Sequence, residues 1–455
     1  MNPREDAEAI FRAAIDRVDP MPMIERVLRV DDGPSGTRLV VRTGLETACI
    51  PLFPEGRIFA TGMGKASARM ALGLERILGD RLSGGIVAVK ENHTESLTTL
   101  RLLEAGHPVP DTRSENAART ILNLGSALGT TLTDRDLVIV LVSGGGSSIL
   151  CSPAEGLSLE DKKRTTQLLL ACGATINEIN CVRKHLSAVK GGRLAEALAP
   201  ARILTLVLSD VVGDDLDAIA SGPTVPDPTS FADALKIVER YGIETRLPTS
   251  VLERLRRGSA GAVPDTPKPG DAIFDRTHTL LVGTNRFALT AAETEAKRRG
   301  YNPLVLSSRV TGEAREVALV ELGIGKDIAA SGFPLKRPAC LIVGGETTVT
   351  LRGKGKGGRS QEMALAFLAA LGRAPKSGDG LVFLAAGTDG NDGPTDAAGA
   401  IVDFELYRKA RAMGLDLEVA LADNDSYGFF SEVGGLLKTG PTNTNVGDIQ
   451  VLLVE

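Results

Sequence analysis

No C-x-x-C pair occurs among the five cysteines, Cys49, Cys151, Cys172, Cys181 and Cys340. Their scatter argues against a disulfide framework or a zinc site and fits a reducing, cytoplasmic setting. Basic excess is also missing: the net charge is −5 at pH 7, so nucleic-acid binding has no support. No apolar run approaches the length needed to cross a bilayer, which excludes a membrane-spanning role. The first residues, MNPREDAEAIFRAAIDRV, read as a charged amphipathic helix and not as a signal peptide. H-E-x-x-H and G-x-S-x-G are both absent, and Ser143, Ser147 and Ser148 have no His–Asp partners by motif. A serine hydrolase is therefore not favoured. There is no internal repeat and no low-complexity segment.

Glycine, by contrast, is abundant: 51 residues, clustered at a few loops. The chain of 455 residues is long enough for two or three domains, and its 43% apolar content is that of a soluble globular protein. Short apolar runs alternate with helical patterns. RIFATG, GGIVAVK, LRLLEA, DLVIVLV and ARILTLVLSD read as strands; GKASARMALGLERIL reads as a helix. Thr112 and Glu115 have capping-box spacing, Ser158 and Asp161 open another helix, and the stretch up to Pro200 looks wholly helical. The rhythm predicts an α/β fold in two domains. Residues 1–260 form a Rossmann-like, doubly wound, mostly parallel sheet; residues 270–455 form a smaller α/β domain. GSAGAVPDTPKPGDA (258–272) is the candidate boundary. Beyond it, HTLLVG, NPLVLS, LVFLAAG and DIQVLLVE read as strands, and PACLIVGGETTVTL as two strands around a Gly-Gly break.

Chemistry is sought in the Gly-rich loops. TGMGKAS (61–67) fits neither nucleotide motif it approaches. Ser67 stands where a dinucleotide fingerprint needs its last Gly or Ala, and Phe59 and Ala66 break a P-loop. It still delivers Lys65 to the start of a helix, a placement that makes more sense with an anion between them than as a solvated surface lysine. Ser143, Gly144, Gly145, Gly146 and Ser147 follow a buried strand and can form a backbone cradle. LSDVVGDDLDAIASGPT places Asp210 just past a strand end and crowds Asp214, Asp215 and Asp217, which a divalent metal or a base role would explain. Arg352, Lys354, Lys356 and Arg359 are threaded among glycines, as in a loop that folds over phosphates. GTDGNDGPTDAAGA holds Asp389, Asn391, Asp392 and Asp396, but Gly393 breaks the EF-hand pattern. His107 precedes a proline in an extended loop, and His93 follows a strand.

In this order TGMGKAS, EAGHPVPD, LVSGGGSS, LSDVVGDD with IASGPT, GGETTVT, GKGGRSQE and GTDGNDGPTDAAGA resemble the glycerate 2-kinases that carry a C-terminal MOFRL segment, here about 338–448. The resemblance implies ATP-dependent phosphorylation of D-glycerate, usually to 2-phosphoglycerate, with a divalent cation, Mg²⁺. It also implies two α/β domains with the active site in the cleft between them. It assigns Lys65 to ATP binding, implicates Arg359 in catalysis and places Asp210 in the cleft. Ser360 stands where many members have Asn, a change read as tolerated but bearing on substrate contacts.

With that resemblance, Lys65, Asp210 and Arg359 are the expected catalytic residues. Lys65, Ser143, Gly144, Gly145, Gly146, Ser147 and Glu346 are expected to bind nucleotide, and Asp389 and Asp392 to hold the metal. Asp210 would orient or deprotonate the C2 hydroxyl. The loop 143–147 would meet a phosphate or the glycerate carboxylate. A rival class is an NAD(P)H-dependent hydroxypyruvate reductase, counted against by the incomplete fingerprint; phosphorylation at C3 is a second alternative. The expected partners are ATP and D-glycerate, with a homo-oligomer allowed.

Overall fold

Leu137–Val142 is a run of Leu, Val and Ile with every residue buried, as expected of a parallel strand covered on both faces. Its neighbour Ile58–Met63 is equally buried. They lie at the centre of a six-stranded sheet among the described residues of the computed structural model, which are 2–34, 36–373 and 380–455. The chain divides into two units, Met1–Asp19 with Gly283–Glu455, and Pro20–Val282. The stretch 258–272 lies within the latter.

In the unit Pro20–Val282 the sheet order is Leu100–Ala105, Leu82–Lys90, Ile58–Met63, Leu137–Val142, Arg202–Leu208, Thr277–Gly283. The first five strands pair in parallel. The chain winds outward from Ile58–Met63, then returns to lay Leu137–Val142 on its other side. Strand order therefore reverses between these two strands, the position where open α/β sheets bind ligands at their carboxyl ends. TGMGKAS and LVSGGGSS are the turns at those ends. Helices Phe231–Arg240, Thr249–Ser259, Leu159–Ala171 and Ile176–His185 form a separate apolar cluster.

Several local expectations are corrected. The capping box of the helix Thr112–Leu122 is made by Asp111 and Ser114, one residue before the expected pair; Pro110 precedes it. The stretch after Ser158 is three helices, Leu159–Ala171, Ile176–His185 and Arg193–Leu198. Gly173, Gly191 and Gly192 adopt positive φ between them and break the spiral. An antiparallel sheet of Leu28–Gly33, Gly36–Arg42 and Thr47–Pro51 went unanticipated.

The unit of Met1–Asp19 and Gly283–Glu455 has a mixed sheet, ordered Asn302–Val310, Ala339–Gly345, Asp448–Val454, Leu381–Gly387, Gly399–Asp403, Leu436–Leu437. Only the first pair is parallel. The second strand expected after the Gly-Gly break is absent: Thr348 makes an isolated bridge to Glu313. Helix Pro3–Arg17 packs on Asn285–Arg298, and Asp6 pairs with Arg299 and accepts from the Tyr301 hydroxyl at 3.0 Å. Among the described residues no helix is long and apolar enough to cross a membrane.

Candidate active site

At the carboxyl end of Ile58–Met63 the backbone turns through Gly64, φ +136°, where a Cβ would stand 2.1 Å from the Ser143 Oγ. The two Gly-rich turns are thereby locked together. The Lys65 amide donates to the Gly144 carbonyl at 2.9 Å, and the Ala66 amide donates to Ser143 Oγ at 3.0 Å. Ser143 also bonds to Ser67 Oγ at 3.2 Å and is buried, so it positions the turn from behind. The side chain of Lys65 is half-buried at the front.

Gly144, Gly145 and Gly146 answer to close approach. A Cβ on Gly144 would lie 2.2 Å from Asp210 Oδ2, and one on Gly145 2.8 Å from the His107 ring. On Gly146 it would lie 2.9 Å from the Met63 side chain. Lys65, His107 and Asp210 thus gather around one bare stretch of backbone. Burial pushes the His107 imidazole down to about 4, helped by the positive charges of Lys65, Lys90 and His93. His107 is therefore neutral at pH 7.

Ser147 closes the loop on a second group of cations. Its Oγ accepts from Arg183 Nη2 and from Lys190 Nζ, each at 2.5 Å, and lies 3.1 Å from Ser221 Oγ. Lys190 Nζ also donates to the Ser147 carbonyl at 2.9 Å. Ala220 and Ser221 beside them both adopt left-handed backbone, φ 51° and 61°. Two such non-glycine residues in succession are a strain that structures hold at working sites.

The acidic run past Asp210 needs no metal to explain it. Asp217 pairs with the buried Lys184 at 3.0 Å, and Lys184 reaches Asp227 at 3.3 Å.

In the other unit, Arg359 opens the helix Arg359–Gly372. Its Nε and Nη2 donate to the two oxygens of Asp448 at 2.6 and 2.9 Å, and Nη1 lies 2.9 Å from Glu346. Asp448 is buried at the start of its strand. Burial pushes its carboxyl up to about 7 against the Arg359 contact, which pulls it down.

Asp392 and Asp389, expected as metal ligands, are used otherwise. Asp392 accepts the Ser360 and Gln361 amides at 3.1 and 2.8 Å, capping the helix that Arg359 opens. Asp389 accepts the Asn391 amide. Among the described residues no group of three or more His, Cys, Asp or Glu is placed to hold a metal. The expected phosphate flap is also corrected. The amides of Arg352 and Gly353 donate to Asn424, that of Lys354 to the Asp423 side chain, and that of Lys356 to Asp425. Its glycines let it lie flat on this segment: a Cβ on Gly353 or Gly355 would clash with Asp423 or Asp425.

Of the expected residues, Lys65 and Asp210 gather at the loop that carries Ser143, Gly144, Gly145, Gly146 and Ser147, and Arg359 and Glu346 share one ion pair. The sequence reading missed the partners of these residues: Asp448, which holds Arg359, and Arg183 and Lys190, which donate to Ser147. Asp448 had a signal, an acid opening a strand that is apolar but for Gln450. Arg183 and Lys190 were hidden in a stretch read only as helix.

Comparison with known proteins follows this geometry. A family described as a domain of unknown function, DUF4147, matches residues 6–256, and the MOFRL family matches residues 339–448. A glycerate 2-kinase of Pyrococcus horikoshii is 40% identical over 455 residues, covering 100% of this chain and 98% of that protein. The crystal structure of a glycerate kinase from Thermotoga maritima superimposes with a TM-score of 0.86 at 39% identity, over 99% of each chain. A relative in Agrobacterium vitis, 44% identical over 89% of each chain, carries the provisional name hydroxypyruvate reductase.

Proposed function

The chain belongs to the glycerate kinase family, and we propose that it transfers the γ-phosphoryl of ATP to the C2 hydroxyl of D-glycerate, giving 2-phosphoglycerate and ADP. One observation carries the chemistry: Lys65 stands at a bare glycine loop, at the strand ends where sheet order reverses, beside a histidine that burial, helped by the charges of Lys65, Lys90 and His93, keeps neutral. Such a corner suits a polyanion.

Phosphoryl transfer asks a protein mainly for positioning and for compensation of negative charge. Lys65 supplies a cation to the nucleotide phosphates, and the turn through Gly144–Gly146 lets backbone approach them. Asp210 takes the proton of the C2 hydroxyl as its oxygen bonds to the γ-phosphorus and the bond to the β,γ-bridging oxygen breaks, releasing ADP. Arg359, fixed by Asp448 and Glu346, is the second catalytic cation. Asp389 and Asp392 do not fit a metal site, so Mg²⁺ belongs to the substrate, as Mg·ATP. All five cysteines are free, in keeping with a cytoplasmic enzyme. The reductase reading is disfavoured by Ser67, whose buried hydroxyl bonds to Ser143 where a dinucleotide site needs a glycine or alanine.

The test is a coupled assay with D-glycerate, Mg·ATP and enolase, without phosphoglycerate mutase. Product is expected without mutase; a signal only after mutase is added assigns the C3 phosphate instead. Oxidation of NADH by hydroxypyruvate would overturn the kinase. Lys65→Ala is expected to lower kcat/KM for ATP roughly ten- to hundredfold, the worth of one charge-assisted contact, with folding unchanged. Full activity in that variant would make Lys65 a bystander.

A further inference from the structure

Lys184 and Lys190 are six residues apart, both buried, and differ in one respect. Lys184 is neutralised by Asp217 and Asp227. Among the described residues Lys190 donates to Ser147 Oγ, the Ser147 carbonyl and, at 3.5 Å, the Ala220 carbonyl. Arg183 beside it donates to the same Ser147 Oγ. Among the described residues neither cation has a carboxylate partner. The charges that act on Lys190 are two further cations, Arg183 and Lys162, and the thiol of Cys151, and burial lowers its affinity for a proton. A buried cation facing other cations is unfavourable unless an anion joins it.

We infer that Arg183, Lys190 and Ser147 form the receptor for the carboxylate of the hydroxy-acid substrate. This goes one step beyond the kinase assignment and rests on it. Two anions must be held in that reaction, the nucleotide phosphates and the substrate carboxylate. Lys65, half-buried at the start of the helix Ser67–Leu78, is the more accessible pole and is the one assigned to the larger anion. The pole at Ser147 is deeper: Lys190 is 1% exposed. It offers a planar guanidinium fork, an ammonium and a hydroxyl, a set that matches a carboxylate. The hydroxyl that now accepts from both cations turns to donate when the carboxylate arrives. The left-handed backbone of Ala220 and Ser221 holds the wall against which Ser147 and Lys190 are set.

The test compares wild type, Lys190→Met and Arg183→Lys, each with D-glycerate and with glycerol, which lacks the carboxylate. Both variants are expected to raise the KM for D-glycerate roughly ten- to hundredfold and to leave the KM for ATP within about twofold. Their preference for glycerate over glycerol should fall by the same factor. Lys190→Met should also melt higher than wild type when free of ligand, because a lone buried cation has been removed. A merely structural lysine would give the opposite shift. A rise in the KM for ATP instead assigns the pole to a nucleotide phosphate and overturns the inference, as does an unchanged KM for glycerate. If Lys190→Met does not fold, that overturns it too, since its premise is that the free protein is better off without the charge. Wild type that does not phosphorylate D-glycerate at all refutes the kinase reading; wild type that does, with unaffected variants, refutes only the receptor.

Discussion

Lys190 in the unit Pro20–Val282 and Arg359 in the other unit carry the same charge in opposite circumstances. Lys190 is buried among serine oxygens and other cations. Arg359 is held on both sides by carboxylates, bidentate to Asp448 and singly to Glu346. The contrast extends to groups outside these clusters. In the first unit the buried ions left short of counter-charge are bases, with Lys162 and Arg183 also pushed toward their neutral forms by burial. In the second they are acids. Glu321 has both oxygens buried without a hydrogen-bond partner, and burial pushes its carboxyl up to about 8. On the proposed reading the first unit takes negative charge from a ligand, whereas the second supplies its own and holds one guanidinium with it.

The largest effect should come from breaking the clamp. Arg359→Ala leaves Asp448 buried and alone, which costs roughly 3–5 kcal/mol of stability. Urea unfolding should show the loss, whereas Lys65→Ala should leave the same curve unmoved. Replacing both partners, Arg359→Met with Asp448→Leu, should recover most of the stability and none of the activity. An Arg359→Ala protein as stable as wild type would mean that Asp448 takes a proton without penalty and that the two units do not differ in this way.

A pH series sharpens the contrast further. Glu321 has a folded-state pKa raised from 4.5 to about 8. Its contribution to stability is complete below the unfolded value and is lost as pH rises through the folded one. Between those limits wild type should lose ground to Glu321→Gln by about 1.4 kcal/mol per pH unit. Lys190 acts with the opposite sign: its folded pKa is lowered, so its contribution is lost as pH falls. Acid therefore weakens the lysine-bearing unit, and alkali weakens the unit that holds Glu321. A difference between wild type and Glu321→Gln that stays constant from pH 5 to 8 would show that Glu321 keeps its charge in the fold.

The buried parallel strands and the loops at their ends were legible because both leave local marks. A parallel strand buried on two faces is a run of Val, Ile and Leu, and a close approach of backbone is a run of glycine. Those marks picked out the loops of Lys65, Ser143–Ser147 and Asp210 one by one; that they belong to one place was implied only by the family resemblance. Partnership leaves no such mark. Nothing within GKGKGGRSQE says that Asp448, 89 residues on, will grip Arg359, or that Asp423–Asp425 will take the amides of the flap. For the same reason Asp392 was read as a ligand for an ion when it is the cap of a helix. The antiparallel sheet 28–51 was missed because its strands are only partly buried, so its apolar pattern is weak.

The smallest effect concerns Ser360, the residue that departs from the resemblance pattern. It follows Arg359 directly, and its position suggested a hand in substrate contacts. Its hydroxyl, however, is buried without a hydrogen-bond partner, and the residue is 1% exposed. Its amide is what matters, since that amide is capped by Asp392 at 3.1 Å and any residue but proline would supply it. Ser360→Ala removes an oxygen that is desolvated and unpaired, and places a better helix former in the first turn. The change should be neutral or stabilising by about 1 kcal/mol or less, with KM for D-glycerate and ATP unchanged. Asp392→Ala at the other end of the same hydrogen bond should be worse by about 1 kcal/mol or more, because two first-turn amides lose their acceptor. A Ser360→Ala protein with a raised KM for either substrate would show that the hydroxyl turns outward in the working enzyme, and that the first turn behind Arg359 rearranges when substrate binds.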